Sequence, residues 1–375
     1  MPRPTVSEID LDAIAFNLGQ VRNLVGPNVK ICAAVKADAY GHGAVPVCRT
    51  LVTGGVDVLA VASVEEAAEI RDAGIDTPIL LLGCSLIEDI PEIVERNLIA
   101  AVCEIDFAQA LSRRAVEVGT RTPIHIKIDT GMGRAGVQEP DALEFAREVA
   151  GLPGLDIQGI FTHLPSADDD LDYTREQIAR FTDLVGKLDA DGISIPIRHC
   201  ANSAAVLNLP ELHLEMVRPG ILIYGMYNGK PPIGMPELRQ AMKFKTRIVF
   251  LKELPAGHTV SYGRTYTTTK TTKVATIPVG YADGYARGLS NRAEALVHGV
   301  RVPVIGRVCM DLTMLDVTEV SGVSVGDEVV LWGRQNGGFI PVQELANILD
   351  TLPYEVMCGI SKRVPRICVC GSEQS

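Results

Sequence analysis

Several features that would assign a chain to a broad class are missing here. No stretch approaches the roughly 18 consecutive apolar residues of a membrane-spanning helix. The opening MPRPTVSEID has no apolar core of a secretory signal, so a soluble, cytoplasmic protein is expected. Lysine and arginine never cluster beyond short pairs such as Arg113-Arg114, and the formal net charge is -11, which disfavours binding to nucleic acid or an anionic membrane surface. HExxH, CxxC and P-loop patterns are absent, so no metal is expected. The nine cysteines stand singly, mostly inside apolar runs (Cys32, Cys84, Cys103, Cys309), and read as reduced core residues without a disulfide or metal role. The acidic run Asp168-Asp169-Asp170 lacks the glycine and terminal glutamate spacing of a calcium loop and reads as a solvated turn into a helix.

What is present is a long alternation. With 47% hydrophobic and 22% charged residues, the 375-residue chain can bury a large core or two. Apolar, β-branched runs are expected as strands at 29–35, 56–62, 78–82, 98–103, 124–129, 156–161, 195–199 and 214–217. Amphipathic segments between them, such as 64–73, 86–96, 107–118, 141–150 and 174–188, are expected as helices. Eight such units close a (β/α)8 barrel of the TIM type. The Gly/Pro-rich GKPPIGMPE then ends the alternation, and strand-like runs from Phe244 onward imply a second, mostly β unit. The expected division is 1–9 as a strand packing with the β unit, 10–230 as the barrel and 231–375 as the β unit.

Parallel barrels place chemistry at the carboxyl ends of their strands. Those positions hold Lys36, Lys127 with Asp129, His163, Asn202 with Ser203, and Arg218 with Gly220. A lysine closing a buried strand in VKADAYGHG is either a side chain snorkelling to solvent or an amine activated for Schiff-base chemistry by desolvation. GMGRAG at 131–136 fits GxGxxG, but helical periodicity does not resume until after Pro140, which argues against a dinucleotide loop and leaves Arg134 as an anion-facing group. Phosphate sites in barrels favour the loops after strands seven and eight. Here these are HCANSAA and RPGI, where Ser203 offers a hydroxyl and Gly220 and Ile221 offer amides. A helix cap and a turn glycine explain the same residues equally well.

Taken together, AAVKADAYGHG, HIKIDTGMGRAG, THLPSAD, HCANSAA, VRPGILIYG, VSYGRTY, VGYADGYARGLSN, GRVCMDLTMLDVT and LPYEV span nearly the whole chain in order. With them the sequence resembles the alanine racemase family of pyridoxal-phosphate enzymes. The resemblance implies that Lys36 holds pyridoxal 5'-phosphate. It also implies that Tyr40, Ser203, Gly220, Ile221 and Tyr354 bind the phosphate, with Asn202 alongside, and that Arg218 faces the pyridine nitrogen. Arg134 would contact the cofactor's phenolic oxygen and Lys127, as a possible carbamate, would orient it. Lys36 and Tyr262 would serve opposite faces of the substrate Cα, Tyr262 assisted by His163 and Arg218. A head-to-tail homodimer would supply Tyr262 and Met310 in trans, while Asp168, Tyr281, Arg307 and Tyr354 would narrow the entry channel. Leu164-Pro165 and Leu312 depart from the family pattern and bear on the shape of that channel.

By this reading the chain interconverts L- and D-alanine and supplies D-alanine for peptidoglycan. A serine or broad-specificity racemase would share every catalytic residue. A same-fold amino-acid decarboxylase should lack Tyr262 and the arginine on the ring nitrogen, and a non-catalytic cofactor-holding protein would need no base on the second face.

Overall fold

The computed structural model describes residues 3–227, 232 and 234–370. The expected boundary between 230 and 231 and the outermost residues at both ends lie outside the described residues. The chain divides into two compact units: residues 14–39 with 44–239, and the residues up to Ala13 with 40–43 and 240 onward.

The first unit is the barrel. Its eight parallel strands are Lys30–Ala34, Val58–Val61, Ile79–Leu81, Ala100–Val102, Thr122–Asp129, Leu155–Phe161, Ile197–His199 and Met216–Val217. Strands one to three pair in order with the eighth beside the first, and strands four to seven pair in order. Leu80 bridges Ile99 in parallel between strands three and four, and the Arg218 amide donates to the Ala201 carbonyl (2.8 Å) between the seventh and eighth. The strands are apolar almost throughout because a parallel sheet wrapped by helices is buried on both faces. Cys32, Val58, Ala60, Leu80, Ile99 and Met216 fill the barrel interior as one cluster.

The helices carry the complementary stripe. In Ile105–Glu117 the residues Phe107, Ala108, Leu111, Ser112 and Ala115 are buried, the spacing of a single helix face. The acidic run leads into the 20-residue helix Leu171–Ala190, whose first turn Asp170 caps by accepting from the Tyr173 amide at 3.0 Å.

In the second unit, Val6–Asp10 pairs antiparallel with Met242–Arg247 and parallel with Arg366–Val369, within a seven-stranded sheet that also holds Glu294–Val297, Val300–Pro303, Glu328–Gln335 and Gly338–Ile340. Phe250–Leu254, Thr272–Ile277 and Thr313–Asp316 form a second sheet. The strand-like run that begins at Phe244 is therefore two strands in two sheets. The Ile248 amide donates to Asp327 and the next amide, Val249, donates to Thr276, so the chain changes partner sheet at that step. Trp332 packs on Phe244 (ring centroids 4.6 Å apart) in the core of the larger sheet. Among the described residues no helix is long and apolar enough to cross a membrane.

Candidate active site

The fifth strand, Thr122–Asp129, contributes most to the barrel's carboxyl-terminal mouth, because its inward positions carry polar side chains instead of valine or isoleucine. His125 and Lys127 are both buried. Lys127 donates from Nζ to the Leu82 carbonyl (2.8 Å), with the ammonium 5.5 Å from the Phe161 ring centroid. Burial, aided by the positive charges of Arg134 and Arg218, pushes Lys127 below its ordinary value. At the strand's end the Asp129 carboxylate accepts from the amides of Gly131 (2.9 Å) and Gly133 (3.1 Å) and folds the GMGRAG loop over itself. Burial alone would raise Asp129, but these amide donors outweigh it and the carboxyl sits below its usual range. Gly136 completes the loop at φ +135°, and a Cβ there would lie 2.6 Å from the Asp129 nitrogen. The loop exposes Arg134.

Arg218 forms the hub on the opposite side of the mouth. The guanidinium donates to the carbonyls of Thr162 (2.7 Å) and Cys200 (3.1 Å), to His199 Nδ1 (2.8 Å) and, at a long 3.5 Å, to His163 Nδ1. Because an arginine only donates, these contacts fix the tautomers. His199 accepts at Nδ1 and so carries its proton on Nε2, which donates to His125 Nδ1 (2.8 Å). His163 likewise retains its proton on Nε2. The Phe161 ring stacks on His199 (4.8 Å, 10° between planes) and lies under Arg218 (5.2 Å). Burial, with the charge of Arg218 second, pushes His125 and His163 down to about 3, and pushes His199 in the same direction. The three rings are therefore neutral at physiological pH.

Beyond strands seven and eight, the two expected phosphate donors meet. The Gly220 amide donates to the Ser203 hydroxyl at 2.8 Å, so that amide is not free as the sequence suggested. Asn202 caps the Ser203–Asn208 helix by accepting from the Ala205 amide and donates to the Leu164 carbonyl (3.0 Å). Ile221 is buried at the start of the following turn.

Lys36 opens a local structure that the sequence did not suggest. Ala37, Asp38, Ala39 and Tyr40 have φ of 53°, 54°, 51° and 55°, a left-handed helical turn made by four non-glycine residues. Such residues each cost on the order of 1 kcal/mol or more, and strain of this kind collects at functional sites. Hydrogen bonds hold the turn: the Ala39 amide to the Val35 carbonyl (2.8 Å), the Ala37 amide to Glu66 (2.6 Å), and Asp38 accepting from the Ala44 amide (2.7 Å).

The β unit gathers its own set. The Tyr40 and Tyr354 rings stand 5.6 Å apart, and His42 is buried against the Tyr40 carbonyl (3.0 Å). The loop 307–312 is tied to both channel tyrosine segments. The Ser261 hydroxyl donates to the Arg307 carbonyl (2.7 Å), and the Tyr281 amide donates to that of Cys309 (3.0 Å). On these linked segments Tyr262, Met310, Tyr281 and Leu312 are 73%, 52%, 43% and 42% exposed. Asp168 is exposed in the barrel unit.

Sequence reasoning missed His125, His199 and Phe161. The available signal was their placement: a histidine two residues before Lys127 shares its face of the strand. It also misplaced two of its core cysteines. Cys84 is exposed and Cys103 half-buried, because both fall just past the ends of their strands.

Comparison with known proteins agrees with this geometry. The family description "Alanine racemase, N-terminal domain" matches residues 9–228, and "Alanine racemase, C-terminal domain" matches 241–368. Alanine racemase 2 of Caldanaerobacter subterraneus subsp. tengcongensis is 47% identical over 99% of this chain and 96% of its own. The solved alanine racemase of Clostridium difficile 630 superposes with a TM-score of 0.95 at 39% identity, covering 100% of this chain and 97% of the other. That of Bacillus anthracis, solved with bound L-Ala-P, gives 0.93 at 34% identity, covering 100% and 97%. With both domains matched and near-full-length relatives of this similarity, the chain belongs to the alanine racemase family.

Proposed function

We propose that Lys36 and Tyr262 exchange protons with opposite faces of an amino-acid Cα, with pyridoxal 5'-phosphate held by the barrel and Tyr262 supplied by a second copy of the chain in a cytoplasmic homodimer. The reaction is the interconversion of L-alanine and D-alanine, the source of D-alanine for peptidoglycan. The observation that carries the residue-level reading is Arg218. It is a buried guanidinium whose partners among the described residues, two carbonyls and two histidines, are all neutral. Burying an unneutralised cation is costly, and a ligand with an electron-rich acceptor and a phosphate offsets that cost.

The donor set fits such a ligand. Ser203, whose hydroxyl accepts from the Gly220 amide and keeps its own proton to donate, and Ile221, with Tyr40 and Tyr354, would hold the phosphate with Asn202 beside them, Arg218 the pyridine nitrogen and Arg134 the phenolic oxygen. Lys36 would hold the aldehyde carbon. When bound, the cofactor supplies the electron sink that acidifies the Cα–H bond of an attached amino acid. Lys36 Nζ takes or returns the proton on one face and Tyr262 Oη on the other. To take a proton from carbon, Tyr262 needs a donor that stabilises its oxygen anion. His163 offers one, since Arg218 occupies its Nδ1 and leaves the proton on Nε2. Burial lowers Lys127 and so raises its share of the neutral amine that carbon dioxide adds to, and its carbamate would hold Arg134 in place. The exposed Tyr262, Tyr281 and Met310 suit delivery to a partner, with Asp168, Arg307 and Tyr354 narrowing the approach. Alanine is the favoured substrate, although apolar pockets reject the extra hydroxyl of serine only weakly.

The test is exchange of the Cα proton for deuterium from L-alanine and from D-alanine, using protein loaded with pyridoxal phosphate. Exchange from both enantiomers, with Tyr262→Phe impaired selectively from one, is the expected result. Equal rates in the variant and the wild type would remove Tyr262 from the mechanism.

A further inference from the structure

Cys84 lies three residues beyond the third barrel strand and Cys103 immediately beyond the fourth, and their sulfurs are 3.3 Å apart. Of the other cysteines, Cys32, Cys48 and Cys200 are buried, whereas Cys84 is exposed and Cys103 half-buried. We propose that Cys84 and Cys103 are a redox-active pair at the mouth of the barrel, closing into an intramolecular disulfide under peroxide and reopening under thiol reductant.

A disulfide needs sulfurs about 2.05 Å apart, so closure requires a movement of little more than about 1 Å. The framework for it exists. The strand ends are already joined by the Leu81 amide to Ile99 (2.9 Å) and the Ile99 amide to Ile79 (2.8 Å), so the backbones beneath the pair are in register. Residues 82–86 have no regular structure and can absorb the shift. Disulfides of reducing compartments are typically transient and redox-sensing, which is the character of an exposed pair without a buried, protected bridge.

The chemistry balances without further components. The solvent-facing Cys84 sulfur attacks the peroxide, the O–O bond breaks, and a sulfenic acid and one water result. The Cys103 sulfur then attacks the Cys84 sulfur, the S–O bond breaks, the S–S bond forms and a second water leaves. Two thiols have lost two electrons and two protons to one peroxide. Burial pushes the Cys103 thiol up to about 12 and slows its attack, which leaves Cys84 as the sulfur that meets the peroxide first. A small thiol reverses the step by exchange and is itself oxidised.

The pair is coupled to the site through Lys127. Both sulfurs interact electrostatically with that amine, and its hydrogen-bond acceptor, the Leu82 carbonyl, is two residues before Cys84. Closing the bridge draws that carbonyl toward Cys103 and changes the seat of Lys127. This effect on turnover rests on Lys127 orienting Arg134 as proposed above; the disulfide itself does not.

The test uses reduced, full-length protein loaded with pyridoxal phosphate, treated with hydrogen peroxide, alkylated and digested with trypsin. The expected product links the peptide Asp72–Arg96 to Asn97–Arg113, and separates into both on reduction. Racemase kcat should fall at least twofold and recover with dithiothreitol, while Cys103→Ser forms no link and keeps its kcat under the same peroxide. Absence of the linked peptides while the exposed Cys358 and Cys368 are oxidised would overturn the pair. A link that forms without any change in kcat would uphold the pair and overturn its coupling to Lys127.

Discussion

Acidification should destabilise the barrel through its buried histidines. His125 is 1% exposed and pushed down to about 3 by burial and by Arg218, whereas in an unfolded chain it binds a proton near 6.5. The folded-state value lies below the unfolded one, so between those limits the unfolded state holds more protons. Stability is therefore fully present above about pH 6.5 and declines as pH falls toward about 3. A shift of this size corresponds to at most roughly 5 kcal/mol for His125, and about half of that once the interior's dielectric response is allowed for. His163 is partly exposed and contributes less; His199 acts in the same direction. Domains are stable by about 5–15 kcal/mol, so the cluster removes a sizeable part of the barrel's stability by about pH 4.5. Carbon-13 labelling of the histidine rings reads the native titration by NMR, and guanidinium unfolding at pH 7.5, 6.0 and 5.0 reads its effect on stability. His125→Asn, which keeps an acceptor for His199, should flatten the pH dependence by up to about 1.4 kcal/mol per pH unit near pH 5. Ring resonances of His125 or His199 titrating between pH 6 and 7, or stability flat from pH 7.5 to 5.0, would refute the reasoning.

Arg218→Gln removes donors from the buried Thr162 and Cys200 carbonyls and from His199, at about 1–3 kcal/mol for each group left unsatisfied. A clear drop in the thermal midpoint by calorimetry is expected, with weaker retention of pyridoxal phosphate. Gly136→Ala places a Cβ 2.6 Å from the Asp129 nitrogen and 2.7 Å from the Ile128 carbonyl carbon, at φ +135°, where backbone atoms cannot move aside. It should cost more than about 2 kcal/mol by denaturant midpoint and disorder the Arg134 loop. Mixing Lys36→Ala with Tyr262→Phe protein should restore activity if the tyrosine is supplied in trans, because one site of each mixed dimer is then intact. Inactive mixtures that contain heterodimer would place both residues on one chain.

The barrel strands could be read from the sequence because parallel strands buried on both faces are mostly apolar runs, and most of them are followed by an amphipathic helix. Strand boundaries in the β unit were less legible. The Met242–Arg247 and Phe250–Leu254 strands read as one because no glycine or proline separates them, and only the partners of Ile248 and Val249 mark the break. The motif residues were legible as residue types at strand ends, while their supporting partners were not. His125 and His199 look like ordinary strand residues until the barrel brings positions 74 apart in sequence within 2.8 Å.

The sequence by itself determined the order of the units, the lysine at the end of the first strand and the family to which the motifs belong, since these depend on local pattern and on residue identity. Only the tertiary structure decided the neutral histidine chain behind Arg218, the left-handed turn after Lys36 and the meeting of Cys84 with Cys103. Each of these is a consequence of burial and closure. A histidine loses its charge only once its surroundings exclude water, four residues hold positive φ only when tertiary hydrogen bonds offset the strain, and two thiols 19 residues apart meet only when adjacent strands enter one barrel.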